Sequence, residues 1–119
     1  MEIIQIAEKI QDKIKLLEKA RLILRKRAES KAEAVALYEK NLAKIIIQLK
    51  NSVAFTVDSQ TIVNPPASVL EKIARGICFD EKLKLETAEA LYKSIIVNIE
   101  AIKAELNGYQ SIFRYLDEK

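Results

Sequence analysis

The sequence predicts a mainly α protein in which two long antiparallel helices with heptad seams form an oligomeric coiled-coil-like bundle, with a small β-hairpin or loop excursion between them. Three observations carry this reading. Only two glycines and two prolines punctuate 119 residues, so long uninterrupted elements are required. Half of the residues are hydrophobic and 31% are charged, the mixture of amphipathic helices and not of a disordered chain. Apolar residues recur at alternating steps of four and three near both ends of the chain, the period of a helical seam. The whole reads as one helical domain, 1–119.

The first helix is expected over residues 3–50. No glycine or proline falls between Ile3 and Leu49. The seam runs Ile3, Ala7, Ile10, Ile14, Leu17, Arg21, Leu24, Ala28, Lys31, Val35, Tyr38, Leu42, Ile45 and Leu49, and twelve of these fourteen positions are apolar. At about 1.5 Å per residue such a helix reaches roughly 70 Å. A second stripe, Leu16, Ala20, Ile23, Ala34 and Leu37, predicts more than one neighbour, because one packed helix covers one stripe.

Residues 51–64 break the pattern. Val53, Phe55 and Val57 alternate with Ala54 and Thr56, and Asp58-Ser59 follows as a turn signal, which predicts a hairpin over 53–63 or, failing that, a loop. Pro65-Pro66 then gives extended geometry and a helix start. Val69, Leu70, Ile73, Ala74 and Ile77 make a short amphipathic segment within 66–79.

The second long helix is expected over 80–117. Its seam is Leu85, Ala88, Tyr92, Ile95, Ile99, Ile102, Leu106, Tyr109, Phe113 and Leu116, apolar throughout. The register changes between Gly76 and Lys84, placing a kink or short break near Cys78–Asp80. Two helices alone leave the second stripe wet, so the expectation is a homo-oligomer, a dimer or higher.

Composition also excludes chemistry. There is no histidine, which removes the usual neutral-pH acid–base group and the commonest zinc ligand. Cys78 is the only cysteine, so no internal disulfide forms, and the residue reads as a small buried hydrophobe. Asp80, Glu81, Glu86 and Glu89 lie among lysines and read as solvated helix residues, not metal ligands. No glycine-rich phosphate loop or nucleophile elbow appears. The reading is non-enzymatic, with no catalytic residue, metal or cofactor assigned. Charges interrupt the apolar N-terminus, so neither a signal-peptide core nor a membrane span is expected, and the location expected is cytoplasmic.

Two regions are candidate sites. In "RLILRKRAESK" the cations Arg21, Arg25, Lys26, Arg27 and Lys31 face only Glu29. Residues 1–50 hold twelve Lys/Arg against seven Asp/Glu, whereas 71–119 hold eight against nine. Charge runs are usually solvated faces, and pairing with Glu86 or Glu89 of the second helix would also account for this one; the functional alternative is a site for an anion or nucleic acid. In "LNGYQSIFRYLDEK", Asn107-Gly108 has the composition of a helix C-cap, yet Leu106, Tyr109, Phe113 and Leu116 keep one register through it. On a continuous helix Asn107, Ser111 and Arg114 share a polar stripe flanked by Gln110. Bundle closure is the plain reading of this stretch, and contact with a partner or anionic ligand the alternative.

"PPASVLEKIARGIC", "AEALYKSIIVNI" and "AELNGYQSIFRYLDE" resemble small uncharacterised helical proteins of phages and prophages of Gram-positive bacteria, encoded in the early region near replication and recombination genes. The resemblance covers roughly residues 65–118 and, in its charged, alanine-bearing pattern, the first helix. The family pattern weights Pro66, Gly76, Asn107, Gly108, Gln110, Ser111, Arg114 and Tyr115, and departs from this chain at Phe113, where it is polar. What the resemblance implies is a setting, the cytoplasm of an infected host cell. Within it the expected function is that of an oligomeric accessory protein acting in DNA replication or recombination through protein or nucleic-acid binding. The alternatives are an inhibitor of a host defence system, blocking a protein or sequestering an anionic nucleotide, and a purely structural assembly element.

Overall fold

A computed structural model of the protein describes residues 2–51 and 54–118. The element order is α1 (Ile3–Lys50), β1 (Phe55–Val57), β2 (Gln60–Ile62), α2 (Leu70–Ile77) and α3 (Phe79–Asp117). The mainly helical class and both long helices are as the periodicity predicts. The chain divides into two compact units, Met1–Glu29 with Ala90–Lys119, and Ser30–Glu89.

In the first unit α1 and α3 run antiparallel: Lys13 meets Glu105 and Arg27 meets Leu91, so the partners step in opposite senses. Leu17 and Ala20 of α1 close on Ile95, Ile99 and Ile102 of α3, edged by Leu24 and Leu106. Burial of each large aliphatic side chain contributes about 1.5–3 kcal/mol, and Ile6 adds a fully buried one nearer the N-terminus.

The inner face of α1 in this unit keeps Ala7, Ile10, Leu17, Leu24 and Ala28 of the expected seam, all buried or half-buried, and departs from it at the remaining positions. Ile6, Lys13 and Ala20 lie inside or half-inside, whereas Ile14 and Arg21 are exposed. In the second unit the expected line holds, with Lys31, Val35, Tyr38, Leu42, Ile45 and Leu49 all buried or half-buried. A straight α-helix drifts about 20° per heptad against a strict seven-residue repeat, so one idealised seam cannot describe 48 residues. Of the second stripe, Ala20 belongs to the core and Ala34 is half-buried, while Leu16, Ile23 and Leu37 are exposed.

In the second unit Leu49, Leu70 and Ala74 form the core, with Leu42, Ile45, Ile46, Ile62, Ile73 and Ile77 packed around them. The hairpin pairs Phe55 with Ile62, Thr56 with Thr61 and Val57 with Gln60. Asp58 and Ser59 both take positive φ (46° and 66°), as a two-residue type I′ turn demands. The expected start at Val53 lies outside the described residues.

The short helix begins later than Pro66. Residues 67–69 form a turn, with the Val69 amide donating to the Pro66 carbonyl (3.1 Å) and the Leu70 amide to that of Ala67 (3.4 Å). Val69 at the N-cap offers no side-chain cap, which leaves the turn to satisfy the first amides. Cys78 alone separates α2 from α3, at the expected break. Its amide donates to Ala74 (3.1 Å) and its carbonyl accepts from Lys82 (3.0 Å), so hydrogen bonding bridges the joint. Asp80 and Glu81 then occupy the first turn of α3, where carboxylates complement the helix dipole.

All ten predicted seam positions of α3 are buried or half-buried. The helix runs through Asn107-Gly108 without interruption, and neither residue has positive φ. The composition of a C-cap is overridden there by the apolar register on either side.

Two substitutions test this packing. Ile99→Ala is expected to lower unfolding free energy by about 2–5 kcal/mol in urea titration, the cost of a core cavity. Gly76 lies inside α2, and a Cβ there would meet nothing within 4 Å. Gly76→Ala is therefore expected to raise stability by about 0.5–1 kcal/mol.

Candidate functional site

Helical geometry divides the basic segment of α1 instead of gathering it. Each residue turns the helix by about 100°, so Arg21 and Arg25 share one side while Lys26 projects from another. All three are exposed. Arg27 is half-buried, and its guanidinium donates to the Leu91 carbonyl across the first unit (3.0 Å). Lys31 is half-buried and belongs to the second unit.

Two further cations extend the exposed surface. Lys15 and Lys19 lie four apart and share the outer side of α1 with Leu22 and Lys26, all of them exposed. Their signal was the step of four, three and four from Lys15 to Lys26, which sequence reading passed over in favour of the denser run at 21–31. Residues 13–27 hold seven Lys/Arg against Glu18 alone. Lys13 pairs with Glu105, whose hydrogen bond and charge hold its ammonium above the ordinary value of 10.5. The solvent-facing remainder of this stretch is strongly cationic, suited to attracting a polyanion.

In the second unit Lys82, Glu86, Glu81, Arg75 and Glu71 are engaged by side-chain partners. Lys82 sits 3.0 Å from Glu86 and 5.3 Å from the centre of the Tyr38 ring, a cation–π distance. The hydrogen bond from Glu86 raises the Lys82 pKa. Asn41 donates its side-chain amide to Glu81 (3.0 Å) across α1 and α3, and Arg75 pairs with Glu71 (2.6 Å) within α2. Among the described residues, no group of three or more Cys, Asp or Glu is placed to hold a metal ion.

A groove of about 400 Å³ opens between the end of α1 and α2, lined by Ile46, Lys50, Ala67, Leu70 and Glu71. Nothing in the spacing of these residues announces it, because it arises from the turn at 67–69.

Cys78 is buried, as expected of a small hydrophobe. Burial, and secondarily the Glu81 charge, push its thiol above the ordinary value of 9.0. Such a thiol is a poor nucleophile at neutral pH.

At the C-terminal end of α3 the polar stripe forms as predicted. Asn107, Ser111 and Arg114 are exposed along one side, whereas Gln110 turns half-inward beside Tyr109 and Phe113. The Ser111 hydroxyl donates to the Asn107 carbonyl one turn back (3.0 Å), a local bond that occupies its donor. The guanidinium of Arg114 supplies the positive charge of this stripe.

Among the described residues, no helix is long and apolar enough to cross a membrane. No protein-family model, curated protein or solved structure matches the chain.

Two predictions follow from the roles of single side chains. Arg27→Ala is expected to lower stability by about 1 kcal/mol through its lost hydrogen bond, whereas Arg25→Ala stays near neutral; thermal denaturation of both variants checks this. For Cys78 the folded pKa is raised, so its stabilising effect is complete below the unfolded pKa and is lost as pH rises through the folded one. Stability measured upward from neutral is therefore expected to fall past pH 9.0, and the fall is expected to be shallower in Cys78→Ala.

Proposed function

We propose that the chain is a non-enzymatic, oligomeric accessory protein of a phage, acting in the host cytoplasm in DNA replication or recombination by binding nucleic acid or an acidic protein surface. The observation that supports it most is the cationic outer surface of α1. Lys15, Lys19, Arg21, Arg25 and Lys26 are exposed, while Arg27 is tied to Leu91 and Lys13 to Glu105. The resemblance of residues 65–118 to early-region phage proteins supplies the setting.

A surface of this kind binds phosphates through released counterions, so affinity falls steeply with salt. The neutralisation of three phosphate contacts contributes a slope of roughly two to three in log affinity against log salt. Arg21→Ala, Arg25→Ala and Lys26→Ala combined leave the core untouched. The triple variant is expected to weaken binding to a short DNA duplex or single strand at least tenfold at low salt, and to flatten the salt dependence by that amount. Fluorescence anisotropy at several salt concentrations measures both. Unchanged, salt-independent binding would reject the nucleic-acid role. A nucleotide-induced thermal shift abolished by Arg114→Ala would instead support the inhibitor of host defence, with the ligand on the Asn107–Ser111–Arg114 stripe.

A further inference from the structure

The cationic surface of α1 in the first unit has two flanks and a midline. At about 100° of turn per residue, Lys19 and Lys26 lie about 40–60° to one side of Leu22, and Arg25 and Arg21 about 60–100° to the other. Lys15 stands close to the Leu22 line, and Glu18 and Glu29 follow it on the arginine side. All of these residues are exposed. Leu17, Ala20 and Leu24 occupy the opposite side of the helix and pack with α3, so the midline is the part of α1 that stands farthest from α3. Between Lys15 and Lys26 the helix advances about 16 Å, and over that length Glu18 is the only acid.

A lone exposed leucine is ordinary, and Leu22 is 62% exposed. Its position is informative, because cations flank it on both sides while acids share its line. That layout distinguishes between polyanions. A single strand is held by stacking its bases on aromatic side chains, and residues 1–37 contain none. An acidic protein surface would bring its carboxylates onto Glu18 and Glu29, where like charges repel. A DNA duplex separates charge from uncharged floor. Its phosphates line the two edges of the major groove, and the base edges between them present thymine methyl groups and cytosine amino donors. The groove is about 12 Å wide, and an α-helix with its side chains is about 10–12 Å across.

We infer that α1 enters the major groove of a DNA duplex along this midline. Lys19 and Lys26 neutralise phosphates of one strand, and Arg21 and Arg25 those of the other. Leu22 packs on thymine methyl groups of the groove floor, and the Glu18 carboxylate accepts from a cytosine amino group where the sequence offers one. The flanks hold the helix in register, while Leu22 and Glu18 read bases. The inference rests on the nucleic-acid part of the proposed function and names the ligand of that same surface.

Fluorescence anisotropy of the full chain at low salt tests it with short probes of equal length: a DNA duplex of alternating A·T pairs, the same duplex with deoxyuridine for thymidine, the corresponding RNA duplex, and single-stranded oligo-dT. The thymidine duplex is expected to bind about tenfold more tightly than the RNA duplex, whose deep, narrow major groove does not admit a helix, and more tightly than the single strand. Loss of the methyl groups in the deoxyuridine duplex is expected to weaken binding about fourfold, the worth of one buried methyl-sized group. This comparison needs no protein variant. Leu22→Ala is expected to cost the thymidine duplex the same factor, to make the two DNA duplexes equivalent, and to leave thermal unfolding unchanged because the side chain lies outside the core. Equal affinity for the DNA and RNA duplexes, with no effect of deoxyuridine, overturns entry into the major groove and leaves phosphate binding standing. Preference for the single strand overturns it as well. Sensitivity to deoxyuridine that persists in Leu22→Ala keeps the groove and overturns Leu22 as the side chain that reads it. Failure to bind any of the probes overturns this inference together with the nucleic-acid reading, and binding of poly-glutamate under the same conditions would then support an acidic protein partner.

Discussion

A helix packed against a single neighbour buries one stripe, and everything in this protein follows from how its two long helices meet that limit. With so few breakers, the chain has no way to fold back often, so α1 and α3 must each supply core over many turns. In the first unit they do so through an antiparallel seam centred on Leu17, Ala20, Ile95, Ile99 and Ile102. In the second, α2 and the hairpin supplement α1, and Leu49, Leu70 and Ala74 become the centre. The rest of the molecule is an accommodation to surface that these contacts leave open. Arg27 spans the first seam to a backbone carbonyl, and Tyr38 of α1 lies under Lys82 of α3 in the second.

The sequence made α3 legible because its seam residues are uniformly apolar and, Ala88 apart, large. α1 was less legible. Ile14 and Arg21 stand beside Lys13 and Ala20, and an apolar count favours neither pair. The drift of a real helix against an idealised repeat then decides which set points inward. Arg27 shows a different limit, since its partner is a main-chain oxygen and leaves no trace in side-chain pairing rules.

The candidate residues divide along similar lines. The C-terminal stripe of Asn107, Ser111 and Arg114 could be read directly because continuity of the helix fixes it. The basic segment could be read only as composition. Whether a cation at each position is free to meet a partner depends on which side of α1 faces the core, so Arg27 belongs to the fold while Lys15 and Lys19, outside the dense run, belong to the open surface.

The hairpin turn has a consequence for the order in which the chain assembles. Asp58 and Ser59 both adopt left-handed geometry; aspartate suits the first place of such a turn, whereas the second is ordinarily glycine. Ser59 makes this turn costlier to form than an Asp-Gly turn would be. The strand it serves is anchored through Ile62, which packs with Leu49, Leu70 and Ala74. Our hypothesis is that the reversal between the long helices is imposed by side chains at its far end, with the hairpin closing only after α1 and α2 have met. Cross-strand substitutions at Thr56 and Thr61 should then change the unfolding rate and leave the folding rate almost untouched; a matching loss in folding rate would show that the turn leads.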